Sequence, residues 1–189
     1  MQNEDIKVVA FVGMPGAGKS SCVEYLEKKG FPSVYFGGIT VDEVKARGLE
    51  VNEVNEKAIR EDIRTKEGKD AYAKRIISKI KGLADQGQTK VVADGLYSWT
   101  EYKAFKEEFG NNAIIIAIAA PRQLRHERLA NRPIRPFTDA EVTAREFAEI
   151  ENIEKGGPIA NADYTIVNEN SSDDMLGRLD KILKDTKFI

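Results

Sequence analysis

The stretch Val-Val-Ala-Phe-Val-Gly-Met-Pro-Gly-Ala-Gly-Lys-Ser, residues 8–20, carries the strongest structural signal in this sequence. Its first five residues form a compact β-branched and aromatic run, which predicts a buried strand. Three glycines follow and let the backbone turn so that successive N–H groups converge on one point. Lys19 and Ser20 then open a predicted helix, whose positive N-terminal end attracts anions. This strand, loop and helix therefore predict a phosphate-binding site.

Residues 13–20 match the eight-residue P-loop pattern, with two glycines, lysine and serine at the required spacing. In that pattern Lys19 reaches the β- and γ-phosphates of ATP, and Ser20 ligates Mg²⁺. The rival interpretation is a dinucleotide-binding loop, but its third glycine would fall on or near Ser21, and no such spacing fits. We therefore expect ATP and Mg²⁺ as cofactors. The expected nucleotide contacts in this loop are Gly13, Pro15, Gly16, Ala17, Gly18, Lys19, Ser20 and Ser21.

Short apolar runs alternate with amphipathic stretches along the chain, which is typical of a parallel sheet covered by helices. The predicted fold class is α/β, a five-stranded parallel sheet with helices on both faces. No internal repeat or linker divides the chain, so we expect a single domain over residues 1–189. Ser171 or Ser172 is expected to cap the last helix. Strands are predicted at residues 8–12, 34–36, 90–93, 113–119 and 164–167, and helices at residues 20–29, 41–87 with breaks near 48 and 68, and 99–109.

A carboxylate is expected across from the P-loop, because an acidic residue at the end of a neighbouring strand usually holds the magnesium ion. Asp94 directly follows the apolar run at residues 90–93 and fits this role as metal ligand and catalytic residue. Gly95 after it would let the backbone approach the phosphates. An Asp-Gly turn is also common at strand ends in any α/β protein. With a P-loop present, we favour the magnesium role.

A cluster of arginines without any lysine occupies residues 122–135. The planar guanidinium group can clamp two phosphate oxygens, whereas lysine offers a point charge. The spacing of Arg125, Arg128 and Arg132 would place them on one face of a helix. We therefore favour phosphate contacts for this cluster, although a solvated basic helix face is the alternative. Its members are Arg122, Arg125, Arg128, Arg132 and Arg135.

The arginine cluster belongs to a segment, residues 122–157, that interrupts the alternation of strands and helices. Pro133 and Pro136 are expected to break its helix and to place Arg135 in an ordered turn. Such a turn is a suitable hinge for a lid that closes over the nucleotide. Within the helix only Glu127 offers a carboxylate partner for the arginines.

Composition restricts the class of protein. With 29 basic and 31 acidic residues the formal net charge is −2, which argues against a nucleic-acid binder. Residues 113–120 form the longest apolar stretch, too short to span a bilayer, and residues 1–7 lack the basic start of a secretion signal. One cysteine and one histidine exclude an internal disulfide and a Cys/His metal cluster. We expect a cytoplasmic protein, a monomer or small homo-oligomer, without nucleic-acid or membrane partners.

Over nearly its whole length the sequence resembles the nucleotide-kinase branch of P-loop proteins, in particular dephospho-CoA kinases. It is also similar to a group of adenylate-kinase-related proteins. The first motif is specific to P-loop proteins, and the combination is specific to this branch. The motifs that carry the resemblance are Gly13–Ser20, Asp94-Gly95, Arg128-Leu-Ala-Asn-Arg132 and Ala162-Asp-Tyr-Thr-Ile-Val-Asn168.

The resemblance implies a nucleoside-monophosphate-kinase-like fold, with acceptor-binding helices at about residues 40–87 and a lid at about residues 122–157. It implies that Arg128 and Arg132 are catalytic, and that Arg128 and Asn168 contact the nucleotide. The expected activity is transfer of the γ-phosphate of ATP to a small-molecule acceptor, a hydroxyl as in dephospho-CoA. A nucleoside monophosphate kinase and an ATP-binding protein without turnover are the alternatives. A GTPase is set aside, because no Asn-Lys-x-Asp guanine motif is present.

The sequence departs from this branch at the acceptor site. Arginines that grip the acceptor's phosphate in adenylate-kinase-like proteins are replaced by Gly37-Gly38-Ile39-Thr40-Val41 and by Leu96-Tyr97-Ser98, which disfavours AMP as the acceptor. The acidic group that activates the hydroxyl in dephospho-CoA kinases is also missing in register, and Asp42 is a candidate substitute. Arg60 and Arg64 are candidate anchors for an acceptor phosphate, or else partners of nearby carboxylates on a solvated face.

Overall fold

The structure, a computed structural model, describes residues 6–133 and 136–189. Within these residues five parallel strands form one sheet in the order β2-β3-β1-β4-β5. β1 is therefore the central strand, and β3 and β4 pair with it on either side. The strands are β1 (Lys7–Val12), β2 (Ser33–Tyr35), β3 (Lys90–Asp94), β4 (Ala113–Ala119) and β5 (Tyr164–Val167).

Helices cover both faces of this sheet, as the sequence predicts, and the parallel connections run through them. A short 3₁₀ turn, Gly110–Asn112, leads into β4. The helices are α1 (Lys19–Lys28), α2 (Phe36–Ala46), α3 (Glu53–Glu67), α4 (Ala71–Ala84), α5 (Trp99–Phe109), α6 (Arg122–Ala130), α7 (Asp139–Ile153), α8 (Gly156–Ala160) and α9 (Ser172–Asp185).

The central strand β1 contributes to two hydrophobic cores, because successive side chains of a strand point to opposite faces. Val8, Ala10 and Val12 are buried with the apolar faces of α2, α3, α4 and α5. Val9 and Phe11 are buried on the other face with α1 and α9. The continuous apolar run that predicted strand one is therefore a consequence of burial on both sides.

Most element boundaries lie within one residue of the sequence prediction, and the largest difference is the start of α2. Phe36 begins α2 instead of ending the second strand, and helix therefore starts five residues earlier than expected. Its ring is buried against Phe105, with centroids 5.6 Å apart, so tertiary packing outweighs the poor helix propensity of the two glycines that follow.

Ser171, one of the two predicted caps, accepts a hydrogen bond from the backbone N–H of Asp174 at 3.2 Å. None of the helices in the described residues is long and apolar enough to cross a membrane.

Candidate active site

The P-loop joins the central strand to α1 at the carboxyl edge of the sheet, where parallel α/β proteins bind ligands. Three of its residues have positive φ, namely Gly13, Gly16 and Gly18. The Lys19 ammonium lies across the loop and donates to the carbonyl oxygens of Gly13 at 2.8 Å and Met14 at 3.2 Å. Ser20 is exposed in the first turn of α1. The loop therefore has the shape and the cation that a polyphosphate requires.

Asn168 supports the P-loop from the end of β5. Its side-chain amide donates to the carbonyl oxygen of Ala17 at 2.8 Å, and its backbone N–H donates to Ala119 at 2.7 Å. A Cβ atom on Gly18 would come within 2.3 Å of the Asn168 amide nitrogen, and Gly18 also has a φ of 106°. Only glycine tolerates both this positive φ and this close contact. The buried Asn168 side chain thus holds the loop, which sequence reasoning did not foresee, and nucleotide contact by this residue stays a prediction.

Asp94 lies at the end of β3, opposite Phe11 in the sheet register and next to the P-loop. Its carboxylate is half-buried, and no group in the described part of the chain donates a hydrogen bond to it. Burial raises the pKa of Asp94, while the charge of Lys19 lowers it. A carboxylate with unused oxygens beside the phosphate loop fits a magnesium ligand or a contact to its water.

The donor set for Mg²⁺ is small. Within residues 6–133 and 136–189 no three His, Cys, Asp or Glu side chains form a metal site. Asp94 and the exposed hydroxyl of Ser20 would therefore supply two oxygens, and phosphate and water would complete an octahedral shell. This is the usual composition of a nucleotide-dependent magnesium site, so the residues present fit the ion.

The site also contains charged groups from α7 and the turn after it, which sequence reasoning missed. Lys155 is fully buried, and its ammonium forms an ion pair with Glu149, which also accepts from Arg145 at 3.1 Å. The Lys155 ammonium also lies 4.8 Å from the centroid of the Tyr97 ring. The available signal in the sequence was two cations, Arg145 and Lys155, within an otherwise acidic stretch at residues 139–155.

These groups alter the electrostatics of Lys19. Burial, followed by repulsion from Lys155, lowers the pKa of Lys19 to about 7, although Glu149 and Asp94 raise it. Burial also lowers the pKa of Lys155, against the attraction of Glu149. Burial thus disfavours the charged forms of both ammonium groups, and a polyphosphate would stabilise those charged forms.

Two tyrosines lie near the carboxyl ends of neighbouring strands, Tyr35 as the last residue of β2 and Tyr97 in the segment after β3. A Cβ atom on Gly95 would lie 2.5 Å from the Tyr97 ring, and Gly95 has a φ of 91°, so glycine here allows Tyr97 to fold back over the strand end. In the same way the ring of Tyr35 covers Gly37. Burial, together with nearby Tyr35 and Asp94, raises the pKa of Tyr97 well above its usual value. This side of the site therefore presents phenol groups.

The arginine cluster is not a single face, contrary to the sequence prediction. α6 ends at Ala130, so Arg132 lies beyond the helix, where it is exposed. Arg122 and Arg125 both form ion pairs with Glu146 of α7, a partner from another helix that local spacing could not reveal. Arg135, the predicted hinge residue, lies outside the described residues. Two of the five arginines are therefore neutralised by structure.

Arg128 contacts the back of the P-loop. Its guanidinium donates to the carbonyl oxygen of Gly16 at 3.5 Å and to that of Asn168 at 3.1 Å. Arg125 similarly reaches the carbonyl oxygen of Pro15 at 3.5 Å. α6 thus holds the carbonyl side of the loop. Contact of Arg128 or Arg132 with phosphate stays a prediction.

The candidate base Asp42 does not lie in this site. Its exposed carboxylate forms an ion pair with Lys79 of α4 at 3.0 Å. We therefore assign it no role in proton transfer.

The comparisons with known proteins agree with this architecture. A family model described as an AAA domain matches residues 9–154, which include the P-loop, Asp94 and α6. The UPF0200 protein of Thermococcus kodakarensis is 36% identical over 179 residues, covering 93% of this chain and 96% of that protein. The chain belongs to the UPF0200 family, within the AAA domain group. A UPF0200/UPF0201 protein of Archaeoglobus fulgidus is 34% identical over 183 residues, but the chain spans only 55% of its length.

Solved structures with the same fold include kinases. TT1252 from Thermus thermophilus superposes with a TM-score of 0.65 at 17% identity, covering 95% of this chain and 97% of that one. Shikimate kinase from Acinetobacter baumannii, in complex with shikimate, gives 0.55 at 20% identity and covers 96% of both chains. Dephospho-CoA kinase from Campylobacter jejuni gives 0.53 at 17% identity, covering 96% and 98%. This UPF0200 protein therefore has a P-loop kinase-like fold, as the sequence resemblance implies.

Proposed function

We propose that this protein transfers the γ-phosphate of ATP, bound with Mg²⁺, to a hydroxyl group of a small-molecule acceptor, with a dephospho-CoA-like molecule as the first candidate. The supporting observation is the cluster of Lys19, Lys155 and Asp94 at the carboxyl edge of the central strands. The two ammonium groups have depressed pKa values, and the carboxylate has free oxygens. Such a site gains most from a ligand that brings several negative charges and a divalent cation together.

In the proposed reaction the acceptor oxygen forms a bond to the γ-phosphorus while the bond from that phosphorus to the bridging oxygen of ADP breaks. The hydroxyl proton is released to water. Lys19 neutralises charge on the β- and γ-phosphate oxygens, and Asp94 helps to hold the cation that orients them. The fold likeness to shikimate kinase and dephospho-CoA kinase, whose names describe hydroxyl acceptors, supports this class of reaction over an AMP acceptor. Tyr97, in the segment where adenylate-kinase-like proteins carry an arginine for the acceptor's phosphate, supports it as well.

The test is ADP formation from ATP and Mg²⁺ with dephospho-CoA, shikimate, glucose and AMP as separate acceptors. We expect acceptor-dependent ADP formation in the wild type and its loss in Lys19→Ala. Lys29→Ala is the matched control, because Lys29 is an exposed lysine of the neighbouring segment that pairs with Asp180. Preference for AMP would favour a nucleoside monophosphate kinase instead. ATP binding with no turnover on any acceptor would favour a protein that binds nucleotide without transferring phosphate.

A further inference from the structure

Arg60 and Arg64 lie one turn apart on α3 but have different surroundings. Arg60 forms ion pairs with Glu53 at 2.6 Å and with Glu56 at 3.5 Å. No carboxylate in residues 6–133 and 136–189 lies within ion-pair distance of Arg64, although Arg64 is half-buried. The two arginines, equivalent by spacing, are therefore distinguished by the tertiary structure. Arg60 belongs to a surface network, and the guanidinium of Arg64 keeps its donors for another partner.

Arg64 rests on an aromatic platform. Its guanidinium carbon lies 5.2 Å from the centroid of the Tyr72 ring, in the geometry of a cation–π contact. The Tyr72 hydroxyl is 2.8 Å from the hydroxyl of Thr40, and both residues are buried. Because Thr40, Arg64 and Tyr72 belong to α2, α3 and α4, the three helices together fix the guanidinium. A cation held in this way loses little freedom when it binds an anion.

The charge of Arg64 relates the platform to α5, which begins shortly after β3. The charge of Arg64 lowers the pKa of Glu101, although burial raises that pKa overall. Glu101 stands in the first turn of α5, just after β3, and accepts from the backbone N–H groups of Tyr97 at 2.8 Å and Ser98 at 2.9 Å. One oxygen of Glu101, Oε2, accepts both bonds and caps α5. The Lys155 ammonium lies 4.8 Å from the centroid of the Tyr97 ring, and its charge acts in turn on Lys19.

We propose that Arg64 binds an anionic group of the acceptor, a carboxylate or a phosphate, and so directs the acceptor's hydroxyl towards the P-loop. This proposal rests on the proposed function, because that function defines the acceptor. Anion binding at Arg64 can nevertheless be tested without turnover. It makes Arg64 a specificity-determining residue, because a neutral acceptor would leave its half-buried charge without a partner.

The test is an NMR titration of the arginine Nε–H signals with the P-loop filled by Mg²⁺ and a non-hydrolysable ATP analogue. The signals of Arg60 and Arg64 are assigned from Arg60→Lys and Arg64→Lys. Inorganic phosphate and acetate are then added in separate arms, which distinguish the two anion classes. We expect the Arg64 signal to shift saturably with one of them, and the Arg60 signal to stay within the change caused by ionic strength.

A second readout is the backbone amide of Tyr72. As anion is added, the chemical shift of this amide should change to a plateau in the wild type and in Arg60→Met. In Arg64→Met it should reach no plateau. If Arg64→Met fails to fold, the Arg64 signal of the wild type still decides. No saturable change at Arg64 with either anion, or equal changes at Arg60 and Arg64, would overturn the proposal. A failure of nucleotide binding would instead count against the proposed function and leave the Arg64 measurement intact.

Discussion

Lys19 and Asp94 are the central residues of the candidate site. The pKa of Lys19 is lowered and that of Asp94 is raised, so both shifts favour the neutral form. For Lys19 the causes are burial and the nearby charge of Lys155. For Asp94 the cause is burial, which the charge of Lys19 only partly offsets. The charged forms of both side chains are unfavourable in the free protein. Phosphates near Lys19 and a cation near Asp94 would stabilise them.

Nucleotide binding should therefore be linked to proton uptake at Lys19. With a pKa of about 7, this lysine is mostly neutral at pH 8 and mostly charged at pH 6. Phosphate oxygens favour the charged form, so binding of Mg²⁺-saturated ATP should take up about 0.9 proton at pH 8 and about 0.1 at pH 6. Calorimetry in buffers of different ionisation enthalpy measures this number. Lys29→Met should leave it unchanged, and equal uptake at both pH values would contradict the lowered pKa.

Asp94→Asn removes the negative charge and keeps the size of the side chain. If Asp94 holds the cation or its water, the Mg²⁺ concentration for half-maximal ATP binding should rise on the order of tenfold or more. Titration of Mg²⁺ at fixed ATP, followed by calorimetry, gives this value. Asp42→Asn is the matched control, because Asp42 is exposed and pairs with Lys79. An unchanged titration in Asp94→Asn would leave Asp94 as a turn residue only.

At the scale of elements, α6 and α7 hold the P-loop in place through one carboxylate. Glu146 of α7 is buried and binds Arg122 and Arg125 of α6. Burial would raise the pKa of Glu146, but hydrogen bonds from Arg125 and His126 outweigh it and lower that pKa. α6 then contacts the loop through Arg125 and Arg128, so the position of the loop depends on this pair of helices.

Glu146→Gln should lower the free energy of unfolding by about 3 kcal/mol, because the buried Arg125 guanidinium loses its counter-charge. Denaturant unfolding measures the change. The control is Asp174→Asn, which breaks the exposed Asp174–Arg178 pair on α9 and should cost less than about 0.5 kcal/mol. Similar small effects for both variants would mean that solvent screens the Glu146 site.

The exposed position of Arg132, just beyond the end of α6, leaves its side chain available to a bound nucleotide. Charge on the γ-phosphoryl oxygens grows towards the transition state, so Arg132→Ala should reduce phosphoryl transfer by on the order of 10³-fold and change ATP affinity by less than about tenfold. Arg132→Lys should restore little, because an ammonium group cannot hold two oxygens in one plane. Slow ATP hydrolysis provides a readout before the acceptor is known. Hydrolysis at the wild-type rate in Arg132→Ala would indicate a solvated arginine.

For the whole molecule, the site joins elements from distant parts of the chain. They are the P-loop after β1, Asp94 at the end of β3, α6, α7 and Asn168 after β5. A ligand that contacts several of these should therefore stabilise the entire fold. At 100 times its dissociation constant, ATP with Mg²⁺ should add about 2.7 kcal/mol, which raises Tm by about 5–10 °C for a chain of this size. Thermal unfolding followed by circular dichroism tests this. Lys19→Ala should lose the shift, and an equal shift in Lys19→Ala would contradict binding through the P-loop.

The sequence by itself determined the α/β class, the five strands and the P-loop, because these depend on local patterns. A buried parallel strand must be apolar throughout, and a phosphate loop must place glycine, lysine and serine at fixed spacing. The place of Asp94 at the end of a strand beside the P-loop could be predicted as well, and its role with a metal ion stays a prediction. The departure from the related kinases at the acceptor site stays a prediction.

Only the tertiary structure decided how the remaining charges are used. Glu146 pairs with Arg125 from 21 positions away, Asn168 supports a loop 151 positions earlier, and Lys155 enters the site from a turn that no motif marks. Arg60 and Arg64 have the same helical spacing, yet one is paired and the other is not. The physical reason is that ion pairing and burial depend on the distance between side chains in the folded chain, and sequence spacing constrains that distance only within a helix or strand.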